Sequence, residues 1–196
     1  MESLCQASDL LQGVITLRRV RCPVRRLLGQ TETMLQASGE RGALFLLKHS
    51  GCPLWPNVEI VLQDRSLRLV DPGKLDGNFS TGRQAWAFER EVVSELRLVE
   101  NEIDYVTGSF DFAGEHFFVQ VVRDGRVSPG FLRRVFKGES CVLEFRGKDV
   151  RWEDAKVEIC EALPSEVVAI SVHLLSEREK VLRDATFGGS GNQVGP

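Results

Sequence analysis

The sequence contains no G-x-S-x-G, P-loop, H-E-x-x-H or glycine-rich dinucleotide turn, so none of the short motifs that mark common enzyme classes is present. The three histidines, His49, His116 and His173, stand singly and far apart along the chain. Each reads as a core or surface residue rather than a base. No catalytic residue, no metal and no cofactor is therefore expected. The five cysteines (Cys5, Cys22, Cys52, Cys141 and Cys160) include no C-x-x-C pair and no adjoining histidine. They fit reduced thiols of a cytosolic protein better than a zinc set or a disulfide framework. Nowhere do eighteen apolar residues follow one another, which argues against a membrane-spanning helix. Near the start, Gln6, Ser8, Asp9 and Gln12 interrupt each apolar run, so no signal peptide is expected. Contact with a membrane surface stays open. Repeats are lacking, and the one biased tract is GGSGNQVGP from Gly188, which is expected to be disordered.

What is there suits a single globular domain: 196 residues, 42% hydrophobic and 27% charged. The central stretch runs from Val58 to Phe88. Val58, Ile60 and Leu62 alternate with Glu59, Val61 and Gln63, the period of two that a strand in a sandwich or barrel requires. Asp64 and Arg65 follow at the strand's exit, where a carboxylate serves a turn as readily as a function. Val70-Asp71-Pro72-Gly73 and Asp76-Gly77 are turn signals, and Ala85 to Phe88 resumes strand character. Further strands are expected at Val14–Leu17, Ala43–Leu47, Cys141–Arg146, Lys156–Cys160 and Glu166–Leu174, with a Tyr105–Arg126 hairpin turning at Ala113-Gly114. Gly13 should break the first strand from a short helical or irregular start, residues 30–42 should be polar turns, and Ser50–Asn57 a loop held by two prolines. The fold expected is mainly β, a single jelly-roll-like sandwich or barrel with short helices at the ends. Its divisions would be an N-terminal segment 1–12, a core 13–175, a charged helix 176–187 and the tail 188–196.

The net charge of −3 gives no global attraction to nucleic acid, so any polyanion contact must be local. Arg18, Arg19, Arg21, Arg25 and Arg26 form the densest basic run, and residues 1–50 hold seven Lys and Arg against four Asp and Glu. A second run comprises Arg123, Arg126, Arg133, Arg134 and Lys137. Both suit phosphate contact, with Trp86 beside Arg83 and Trp152 beside Arg151 as stacking platforms. A solvated charged face explains the first run about as well, and buried core aromatics explain the tryptophans at least as well.

In this order the segments resemble the 30K superfamily of plant-virus movement proteins, especially its tobamovirus branch. The matching features are Leu10, Leu11, Gly13 and Val14 before the first strand, the strand ending in Asp64-Arg65, the spacing through Leu75, Gly77 and Phe79 to Trp86 and Phe88, and the Ser128, Gly130, Phe131 turn. Residues 3–145 carry the resemblance, and the long charged C-terminal region of many members is missing. It implies a jelly-roll-like domain that binds single-stranded nucleic acid, in particular viral RNA, without sequence preference. It also implies self-association, contact with host plasmodesmal and endoplasmic-reticulum membrane proteins, and residence at plasmodesmata, in the cytoplasm and on the endoplasmic-reticulum surface. Asp64, Arg65, Gly77 and Gly130 would be its signature positions. The same strand pattern admits a small coat-like subunit or an interaction module that suppresses host defence.

Overall fold

The computed structural model describes residues 9–21, 33–40, 42–52, 55–75, 83–102, 105–124, 130–146 and 155–187. These form β1 (Leu10–Arg21), β2 (Thr33–Gly39), β3 (Gly42–Cys52), β4 (Trp55–Val61), β5 (Ser66–Val70), β6 (Gln84–Phe88), β7 (Glu91–Asn101) and β8 (Tyr105–Phe112). The order continues with β9 (Glu115–Asp124), β10 (Gly130–Lys137), β11 (Ser140–Arg146) and β12 (Ala155–Pro164). A four-residue helix α1 (Pro72–Leu75) follows β5, and a 23-residue helix α2 (Ser165–Phe187) follows β12. Each strand pairs antiparallel with its neighbours in sequence, and β1 closes on β12 to make a closed twelve-stranded barrel. The expected jelly roll needs Greek-key crossovers between sheets, and this order is instead an up-and-down meander.

Local chemistry explains the turns. Ala113 and Gly114 both have positive φ, 50° and 81°, which a two-residue hairpin requires to follow the right-handed twist of β8 and β9. Asp71 accepts the Gly73 N–H on Oδ1 at 3.0 Å and so caps α1, whose Pro72 stands where no N–H is needed. Gly13 does not end a strand. It sits at φ +92° where the β1–β12 register shifts, the bulge of one continuous strand. Likewise residues 33–39 form β2 rather than turns, and β3 and β4 run on to Cys52 and from Trp55, leaving only residues 53–54 of the expected loop outside them.

The inward residues include Ile15 and Leu17 of β1, Leu35 of β2, Phe45 and Leu47 of β3, Val58 and Ile60 of β4, Trp86, Phe110, Val119 and Val157, all buried. They close around α2. Glu166 to Leu174, expected as a strand, lie instead in the first half of the helix, although Val167, Val168, Ile170 and Val172 are β-branched. Here burial overrides propensity. Val167 through Leu175 are buried on every side of the helix, and an all-round apolar helix is stable only inside a core. The boundary expected at residues 175 and 176 therefore falls inside one helix, and the helix belongs to the barrel. Gly108 of β8 permits its close approach: a Cβ there would meet Leu174 Cδ2 at 3.3 Å.

Two ion pairs fasten the helix. Near its start the Arg65 guanidinium, from the β4–β5 turn, donates to Glu166, whose side chain is 4% exposed. Further along, Arg133 of β10 donates to Glu179, with side chains 1% and 2% exposed. The second oxygen of Glu179 accepts Arg183 Nε at 2.7 Å. Arg133 also lies over the rings of Phe131 and Phe145, at 5.9 and 5.4 Å. Removing one member of such a pair leaves the other charged in an apolar interior. Glu179→Gln should lower unfolding free energy by about 3–5 kcal/mol, and the double variant Arg133→Met, Glu179→Leu should recover most of it. Urea denaturation of the three proteins checks this; equal losses in single and double variants would mean that the pair itself is strongly stabilising.

Candidate functional site

The structure does not bring the sequence-predicted residues together in one place. At the rim where α2 begins, the Ser165 N–H donates to the Asp9 carbonyl at 3.0 Å, and Leu62 N–H donates to the Arg65 carbonyl at 2.8 Å, closing the β4–β5 turn. A cleft of about 190 Å³ lies there, lined by Asp9, Leu11, Gln63, Asp64, Arg65 and Ser165 among others. Asp64 is 71% exposed, with its Oδ1 3.9 Å from Arg65 Nε. Arg65 is the member of the Asp64-Arg65 pair that holds the fold together, because it reaches Glu166 while Asp64 stays in solvent.

At the opposite end of β1, Arg18 and Arg19 are exposed. Leu17 is buried, so alternation points Arg18 outward from the barrel wall. The residues in register with Arg18 and Arg19 on β2 are Gln36 and Leu35. On the other side Thr16 is in register with Lys156 of β12, an exposed residue, so Lys156 flanks the strip that holds Arg18. Arg21 ends β1, while Arg25, Arg26, Arg126 and Gly77 lie outside the described residues.

The second basic run does not form one surface. Arg133 points into the barrel and is held by Glu179, so it cannot reach a phosphate outside, a correction to its expected role. Arg134 faces out and donates to Glu144 at 2.8 Å, and Lys137 stands 2.6 Å from Glu115. Both cations are already opposed by carboxylates. Arg123 is partly buried, and Gly130 opens β10 in register with Asp124. Trp86 is fully buried, so it is a core ring and no stacking platform; Trp152 falls outside the described residues.

A third group was missed by sequence. His49 of β3 and His173 of α2 stand with ring centroids 5.5 Å apart, and the Trp86 ring meets His173 edge-on at 5.2 Å. Burial pushes the His173 imidazole down to about 3, and His49 beside it acts in the same direction. His49 is lowered mainly by burial, with Glu177 opposing and Lys180 reinforcing the shift. No signal in the sequence joins these residues, because the contact exists only once the helix is inside the barrel.

A buried neutral histidine makes stability depend on pH. Between pH 6.5 and about 3 the unfolded chain takes up a proton at His173 that the folded chain refuses. Its contribution is present in full above pH 6.5 and is lost as pH falls through that window, with a slope approaching ~1.4 kcal/mol per pH unit. Denaturation curves in metal-free buffer from pH 7 to about 4 should show this slope in the native chain and lack it in His173→Phe. Parallel curves would mean that the ring stays solvated when folded. No family model, curated protein or solved structure shows a significant match to the chain.

Proposed function

We propose that the protein is a non-enzymatic binding module that holds single-stranded nucleic acid, without sequence preference, on the arginine-bearing end of β1. The observation that supports this most is the exposure of Arg18 and Arg19 at one end of β1, with exposed Lys156 of β12 flanking the strip that holds Arg18. The interior favours a surface role too, since α2 fills the lumen that a carrier of small ligands would keep open. A membrane-spanning barrel would present an apolar belt to lipid. Here the outward wall carries Lys48–Glu59, Arg134–Glu144 and Arg146–Glu158 ion pairs. In the second run Arg133 is turned into the interior, so in this reading the contact centres on the first.

The wider reading, carriage of viral genomes between plant cells with contact to endoplasmic-reticulum membrane and plasmodesmata, rests on the resemblance in sequence. Jelly-roll wiring is not part of it, since the strands follow a meander. Asp64 suits a recognition role better than a structural one because its carboxylate is exposed. Asp64→Asn should therefore leave the fold intact, with a stability change within about 0.5 kcal/mol. It should stop a fluorescent fusion from spreading between leaf epidermal cells; normal spread would return Asp64 to a plain turn residue.

Replacing Arg18, Arg19 and Arg21 together by Ala tests the binding surface. Each phosphate neutralised on a single strand releases about 0.7 counterion. The slope of log affinity against log salt should flatten by about two units, equally for oligonucleotides of different sequence. An unchanged slope, with circular dichroism showing the fold intact, would refute the reading and leave the interaction-module alternative. If the same variant loses binding only to vesicles containing anionic lipid, the strip belongs to a membrane surface.

A further inference from the structure

Three side chains that can ligate a metal converge where α2 passes β3. His173 and Glu177 are four residues apart and share one face of the helix, while His49 projects from the strand opposite. One ligand atom from each lies within 4.8 Å of the other two. A second, independent observation is the His173 ring itself. It is 2% exposed, and its Nδ1 has no hydrogen-bond partner among the described residues. A buried polar atom left unbonded is costly, and an ordered ion or water is the usual resolution.

From this convergence we infer that His49, His173 and Glu177 form a binding site for a divalent transition-metal ion, zinc(II) being the ion this donor set suits best. Two imidazoles and one carboxylate fit zinc, whereas magnesium and calcium ask for oxygen ligands throughout. Zinc bonds of about 2.0–2.2 Å bring ligand atoms to roughly 3.3 Å from one another. The site therefore has to close by about 1.5 Å around the ion, and the long Glu177 side chain, the most exposed of the three, can supply most of that movement. Three protein ligands leave a fourth position for water or an exchangeable anion. The Glu177 carboxylate and the Lys180 ammonium both act on His49, and the Arg178 guanidinium acts on Glu177. The carboxylate becomes a ligand, and the two cations set a limit on affinity.

The full chain, stripped with a chelator, can be titrated with cobalt(II), whose visible absorption reports nitrogen and oxygen coordination, and then with zinc(II) in competition. One ion per chain is expected. His49→Ala and Glu177→Gln alter positions outside the sealed core, so both should remain folded by circular dichroism and bind at least about 10- to 100-fold more weakly. His116→Ala, at an exposed position of β9, should bind as the native chain does. Absence of binding by the native chain would overturn the inference, and so would affinity unchanged by both ligand substitutions. Thiolate charge-transfer bands in the cobalt spectrum would place the ion on cysteine and overturn it equally. Nucleic-acid binding does not enter these measurements, so the two readings fail separately.

Discussion

The helix inside the barrel is the constraint on which the other features depend. A closed wall of twelve strands encloses more space than side chains alone fill, and packing it to the density of a protein interior takes a further element. That element must be apolar on all sides where it is surrounded, as α2 is from Val167 to Leu175. It cannot be so throughout. Glu166 and Glu179 bring charge into the interior, and each is met by an arginine from the wall, Arg65 and Arg133. These pairs set the helix in register with the β4–β5 turn at one end and with β10 further along. Because a buried charge without its partner is so unfavourable, they penalise a helix shifted by even one turn more sharply than apolar packing would.

The wall was legible in the sequence and the filling was not. Strands β1, β3, β4, β6, β8, β9, β11 and β12 show as β-branched or alternating runs, and the Ala113-Gly114 turn shows as a hairpin signal. The pattern fails where an outward face is charged enough to hide the period. β7 reads as an acidic run, since Glu91 and Glu95 face solvent while Ser94 and Leu96 are buried. β10 reads as a basic cluster for a similar reason, with one difference: one of its arginines is the inward residue. α2 fails for the opposite reason. An all-round apolar helix of β-branched residues has no periodicity to distinguish it from a buried strand, and only the three-dimensional setting decides between them.

The candidate sites divide along the same line. The exposure of Arg18 and Arg19 could be expected, because exposed arginine is the ordinary case. Arg133 belonged to an equally conspicuous cluster and went to the interior. Charge density along the chain cannot show which side of a strand each residue takes unless its phase is known. The His49 and His173 pair lay beyond sequence reasoning altogether, since α2 is the last element and β3 among the first.

Filling the lumen also determines where the molecule can act. With α2 buried among the strands, recognition is left to the outer wall and to the two rims, and the rims differ. The Ser165–Asp9 hydrogen bond sets the start of α2 beside the start of β1, and an open groove of about 630 Å³ lined by residues such as Leu10, Gln12, Val14 and Glu40 lies there. The end of β1 must then lie towards the other rim. Strand register carries that end across the wall, from Arg21 to Thr33 and from Thr33 to His49. The arginine strip and the histidine pair therefore share one rim, away from the Asp64 turn. A divalent ion held by Glu177 would add two positive charges beside the Lys180 ammonium, and so raise the potential that any phosphate approaching that rim would meet.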